Sequence, residues 1–209
     1  MECDRTQEIP IQQTNVMPSI IDVNLVPTSA TFHEDNKPAS RCLYINTEKH
    51  QMASKQVTKR LLHELRSYEK DPSDALLHLG PINDEELTRW TAVLKGVSGT
   101  AYQNGLWKLN IVIPDTYPNK PPTITFVTPI CHPNVHFKTG EICLDLLKSS
   151  WSPVYSVKQT LEAVQQLLTS AEPDSPLNID AAQLLRQGDQ LGYEALVRFY
   201  TETLRWNGE

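Results

Sequence analysis

An α+β fold is what the order of periodicities in this chain predicts. One helical stripe comes first, then short alternating runs, then a long stretch with neither period, then further helical stripes. The first stripe, over residues 54–70, sets Val57, Leu61, Leu65 and Tyr68 on one face, and Asp71-Pro72 ends it. Lys55, Lys59, Arg60, His63, Arg66 and Lys70 fill the other faces, which by themselves read as a solvated surface. A weak strand signal over Leu76 to Leu79 precedes Leu87 to Lys95, where Trp90, Ala92 and Leu94 alternate with Thr91 and Val93. Gly96 to Gly99 supplies a turn. Leu106 to Ile113 then sets Trp107, Leu109, Ile111 and Ile113 on one side, and Thr123 to Val127 alternates Ile124 and Phe126 with threonines. These runs predict an antiparallel meander of about four strands with connections of a few residues.

Beyond Trp151 the helical period returns. Ser156 and Gln159 make a capping box ahead of Val157, Leu161, Val164 and Leu168. Pro173 and Pro176 break the chain, Ile179 to Gln187 is closed by Gly188, and Asp189 to about Trp206 turns Tyr193, Leu196, Val197, Tyr200 and Leu204 inward.

The chain has 209 residues, 19 Lys plus Arg against 25 Asp plus Glu, and a formal net charge of −6. This composition fits one soluble domain plus a tail, large enough to fold without disulfides or metal. Mild acidity without a basic cluster argues against a nucleic-acid partner, and no apolar run is long enough for a transmembrane segment. Cys3, Cys42, Cys131 and Cys143 form no CxxC pair, which points away from zinc and disulfides and toward a cytoplasmic setting. Residues 1–51 are interrupted by Pro10, Pro18, Pro27 and Pro38 and read as a flexible extension, with 52–209 as the folded domain. Met52 offers an alternative start.

The informative stretch is Pro129 to Pro153, PICHPNVHFKTGEICLDLLKSSWSP, because an irregular segment this long inside a compact domain is usually functional. It holds Cys143, and Asn134 lies nine positions before it. A cysteine protease would need an imidazole partner; His132 and His136 are available, but no protease signature surrounds them. A phosphatase loop would need an arginine soon after the cysteine, and none follows. The third chemistry is a thiol that carries an acyl group to another nucleophile, with a neutral amide such as Asn134 to meet the oxyanion. Asn134 as a turn-pinning side chain and Cys143 as a buried small hydrophobe are the competing readings.

YPNKPP (Tyr117 to Pro122), HPN (His132 to Asn134), GEICLD (Gly140 to Asp145), WSP (Trp151 to Pro153) and EPDSPLN (Glu172 to Asn178) occur in one order and spacing. Over residues 54–206 the chain thereby resembles a ubiquitin-conjugating enzyme. The resemblance implies that Cys143 accepts ubiquitin from the ubiquitin-activating enzyme as a thioester. Asn134 would stabilise the oxyanion or the loop around it, and His132 would be structural. Ser175 falls where the family often places an Asp or Ser near the acceptor nucleophile, with Asp174 beside it sharing that role. Lys55, Lys59 and Arg60 match a docking face for the activating enzyme. Asn119 and Lys120, together with Ser152 and Pro153, match the ligase contact loops, and Asn119 stands where members working with thioester-forming ligases often carry Phe, which tilts the partner toward RING-type ligases. No cofactor is implied on this chain, since ATP is consumed by the activating enzyme.

Ser175 to Tyr200, with Arg186 to Asp189 in place of a commoner Tyr-x-x-Asp, resembles the peroxisomal branch in yeasts and other fungi. That implies ubiquitination of the peroxisomal cargo receptor on lysine or cysteine, recruitment by a membrane-anchored peroxin, and a peripheral place on the cytosolic face of the peroxisomal membrane. A general cytosolic conjugating enzyme and a noncatalytic ubiquitin-binding variant are the alternatives. Cys131, just before HPN, reads as a packed free thiol; a redox disulfide with Cys143 is its other reading.

Overall fold

The computed structural model describes residues 55–144 and 147–208. The extension expected over residues 1–51 lies outside the described residues. Helix α1 spans Lys55–Lys70 and is followed by strands β1 (Leu76–Pro81), β2 (Arg89–Lys95), β3 (Leu106–Val112) and β4 (Thr123–Phe126). Helices α2 (Val157–Leu167), α3 (Ile179–Arg186) and α4 (Gln190–Leu204) complete the order, so the fold is α+β.

The sheet is an antiparallel meander in the order β1-β2-β3-β4. Its register aligns the inward residues across strands: Trp90 opposes Ile111, Ala92 opposes Leu109, Leu94 opposes Trp107, and Ile111 opposes Ile124. All of these are buried in one core with Val57, Leu61 and Leu65 of α1 and Val157, Leu161 and Val164 of α2. Each such side chain stabilises the fold by roughly 1.5–3 kcal/mol relative to exposure. Both halves of the Ser156/Gln159 capping box form, and Gly188 takes the positive φ of +74° that ends α3.

Two expectations are corrected. The strand connections run 82–88, 96–105 and 113–122, longer than the few residues predicted, because they carry core side chains. Ala101 and Tyr102 are buried in the second, which Gly96 N–H closes onto Gly105 O, and Ile113 and Tyr117 are buried in the third. Val93 also departs from the alternation. It is buried on the face opposite the main core, between His78 of β1 and Lys108 of β3, where the Lys stem can cover it.

Candidate active site

Among its described residues the segment predicted to be irregular holds no α-helix or named strand between β4 and α2, yet its first half is tightly ordered. Val135 and Ile142 form an antiparallel bridge, His136 N–H donates to Glu141 O, and Gly140 N–H donates to His136 O. The spacing of Asn134 and Cys143 is therefore the spacing of two arms of a hairpin, and Cys143 N–H donates to Asn134 O at 2.8 Å. Gly140 welds the hairpin to the sheet edge, since Phe126 N–H donates to Gly140 O. At φ +68°, a Cβ on Gly140 would lie 1.9 Å from Phe126 O, so no other residue fits.

His132 is fully buried. Its Nε2 lies 3.0 Å from Leu167 O and must donate there, which leaves Nδ1 to accept Asn134 N–H at 3.0 Å. Burial holds its pKa down at about 4, so the ring is a neutral brace joining the hairpin to the end of α2.

Asn134, 1% exposed, has its amide committed in three directions. Nδ2 donates to Glu172 O at 2.8 Å and to Ser175 O at 3.1 Å, while Oδ1 accepts Glu172 N–H at 2.8 Å. Leu177 and Asn178 N–H both donate to Pro133 O. The HPN tripeptide thus clamps the 172–178 loop over the cysteine, and in this arrangement the Asn134 side chain braces that loop rather than facing the sulfur.

Cys143 is half-buried and free. Its Sγ lies 3.9 Å from Ser175 Oγ and 3.9 Å from Lys148 Nζ. The structure therefore brings Ser175 to the thiol, while Asp174 is exposed and makes no hydrogen bond or ion pair among the described residues. Lys148 was not singled out from the sequence; its ammonium lies beside the sulfur. Cys131 differs in every respect: it is 3% exposed and burial pushes its thiol up to about 11. Its carbonyl accepts the Tyr102 hydroxyl, which in turn accepts from Tyr193.

Of the residues expected to meet partners, Lys55, Lys59, Asn119, Lys120 and Pro153 are exposed and Ser152 is partly so. Arg60 is partly exposed and also serves the fold. Its Nε donates to Glu64 at 2.5 Å, its Nη1 to Pro153 O at 3.0 Å and its Nη2 to Tyr155 O at 2.9 Å, so its donors hold the fold together. Glu64, also missed, lies on the apolar stripe of α1, seven residues after Val57, which is the signal that it would be buried. Among the described residues no group of three or more His, Cys, Asp or Glu could hold a metal ion, and no helix is long and apolar enough to cross a membrane.

A thiol half open to solvent thus lies beside a loop clamped by a buried His-Pro-Asn on an α+β scaffold. The pattern of the ubiquitin-conjugating enzyme family matches residues 60–201, and the chain belongs to that family. It is 48% identical over 153 residues to a Gibberella zeae ubiquitin-conjugating enzyme E2 PEX4, covering 72% of this chain and 89% of that one. It is also 48% identical over 142 residues to the Dictyostelium discoideum E2 pex4, covering 68% and 95%. Among solved structures it resembles the H. polymorpha conjugating enzyme Pex4p in complex with the soluble domain of Pex22p. The TM-score there is 0.68 at 37% identity, covering 72% of this chain and 98% of that one. It is a ubiquitin-transfer enzyme of the peroxisomal type.

Proposed function

We propose that Cys143 is the residue on which ubiquitin is carried. The Sγ thiolate attacks the carbonyl that joins ubiquitin's C-terminus to the activating enzyme; a new thioester forms on Cys143 and the activating enzyme's thiol leaves. An acceptor lysine or cysteine then attacks that thioester, the tetrahedral oxyanion collapses, and the Cys143 thiolate departs as the acceptor loses its proton. The observation that carries this reading is the placement of a half-buried sulfur against Ser175 on a loop that Asn134 fixes from below. Asn134 acts by holding the 172–175 backbone, and Ser175, assisted less directly by Asp174, lines the approach of the acceptor. His132 acts one step further back, holding Asn134 through its N–H.

The partners follow from the same reading. Lys55 and Lys59 present the docking face for the activating enzyme, and Asn119, Lys120, Ser152 and Pro153 that for a RING-type ligase. The substrate is the peroxisomal cargo receptor, modified for recycling, and a membrane-anchored partner of the Pex22p kind holds the enzyme at the cytosolic face of the peroxisome. The H. polymorpha relative, solved with the soluble domain of Pex22p, supports this last point. The test is incubation with activating enzyme, ATP and ubiquitin. A ubiquitin adduct removed by reducing agent and absent in Cys143→Ser is expected, and the absence of any adduct on the folded parent would overturn the assignment.

A further inference from the structure

The charged side chain buried in the described part of this protein is Glu64, 7% exposed, and each of its oxygens is occupied. Oε1 accepts Arg60 Nε and, at 2.6 Å, the Tyr117 hydroxyl; Oε2 accepts Val157 N–H at 2.8 Å. Val157 is the first residue of α2, whose unpaired N–H groups and positive dipole end suit a carboxylate. Burial, reinforced by Glu64, pushes the Tyr117 hydroxyl far above its ordinary range, so it stays protonated as a donor.

The two residues of the pair reach different loops. Glu64 holds the 117–122 loop through Tyr117, and Arg60, 5.7 Å above the Tyr117 ring, holds the 152–155 loop through the carbonyls of Pro153 and Tyr155. The loops also meet directly, for Trp151 Nε1 donates to Pro118 O at 2.8 Å, with its ring 6.1 Å from that of Tyr117 and 6.0 Å from that of Tyr155. Beyond these tethers the tips stand open: Asn119, Lys120, Pro153 and Val154 are exposed, Val154 by 80%. A pair of exposed tips above a shared, partly buried ion pair is a surface whose shape depends on that pair.

We propose that the Arg60–Glu64 pair is a positioning device that sets the relative geometry of the 117–122 and 152–155 loops and so governs stimulation by a RING-type ligase. The inference rests on the reading of those loops as the ligase face given above. Neither residue touches the reacting atoms. Glu64 is singled out because its carboxylate is symmetric and all its partners are donors. In Glu64→Gln one amide N–H₂ must confront either Val157 N–H or the Tyr117 and Arg60 donors, so one tether is lost with little change of volume.

The test starts from enzyme already charged with ubiquitin. It compares discharge to free lysine with and without a RING domain that stimulates the parent, and reads the ratio. Glu64→Gln is expected to charge and to discharge unaided within about twofold of the parent, while the stimulated ratio falls about tenfold, the size of one lost charge-assisted hydrogen bond. Arg60→Lys provides the second variant. It keeps the charge beside Glu64 but lacks the fork that spans both carbonyls, and the ratio is expected to fall about fivefold. An unchanged ratio in both folded variants would overturn the proposal, as would an equal loss in stimulated and unaided discharge. Failure of every RING domain to stimulate the parent would instead overturn the reading of the loops, and this proposal with it.

Discussion

Cys131 and Cys143 lie at the two ends of one short hairpin, and their surroundings are opposites. The Cys131 end is closed. The thiol is buried with its pKa raised to about 11, its carbonyl accepts a buried tyrosine, and the next residues, His132 and Asn134, have their polar atoms paired to backbone. The Cys143 end is open, with a half-buried sulfur whose polar neighbours among the described residues are Ser175 Oγ and Lys148 Nζ, at 3.9 Å each. The difference teaches that this site divides its labour. Saturated hydrogen bonding at one end makes the platform rigid, and unsaturated, accessible atoms at the other are left for chemistry.

The sharpest way to break the comparison is to exchange the roles of the two thiols. Cys143→Ser is expected to abolish the reductant-sensitive ubiquitin adduct, whereas Cys131→Ser should charge within about twofold and lose about 1–2 kcal/mol of stability from a buried hydroxyl, as read by denaturant unfolding. Loss of charging in a folded Cys131→Ser would end the distinction.

Next in size is Asn134→Ala, which strips three hydrogen bonds from the 172–175 loop. Discharge to lysine is expected to fall about a hundredfold while charging falls only a few-fold, with a stability loss of about 2–4 kcal/mol. Equal loss of charging and discharge would assign Asn134 to folding alone.

The closed end also predicts a pH dependence. His132 titrates at about 4 in the folded protein and near its ordinary value, about 6.5, when unfolded, so between these limits the unfolded chain takes up a proton that the native one refuses. Its contribution to stability is constant above about pH 6.5, shrinks as pH falls and levels off below about 4, a loss of about 3 kcal/mol. Unfolding measured across that range should show this slope in the parent and a flatter one in His132→Gln. The smallest effects belong to the loop facing the sulfur: Ser175→Ala should slow discharge by about two- to fivefold and exposed Asp174→Ala by less than twofold. A larger effect from Asp174 would reverse their roles.

Much of this was legible in the chain itself. The spacing of Val57, Leu61 and Leu65, the Ser156/Gln159 capping box and the alternation through Trp107, Leu109 and Ile111 are local signals of burial and capping, and local signals survive in sequence. The cysteine and the HPN tripeptide were equally visible. What was not legible depends on long-range partners. Nothing near Asn134 announces that its amide will meet the backbone of Glu172 and Ser175, and nothing near Arg60 announces the carbonyls of Pro153 and Tyr155. In the sequence Arg60 shows only its charge; its part in joining α1 to the 153–155 loop needs the fold. The strand connections were misjudged for the same reason, since Tyr102 and Tyr117 make their loops part of the core.

The central claim is tested most directly by locating the acyl bond in the charged protein. Charged enzyme is denatured in acid, its free thiols are alkylated, the thioester is cleaved and each cysteine is read by peptide mass. Cys143 alone should escape alkylation, with Cys131 labelled in full. Protection of Cys131, or labelling of Cys143 while ubiquitin is still attached, would contradict the account.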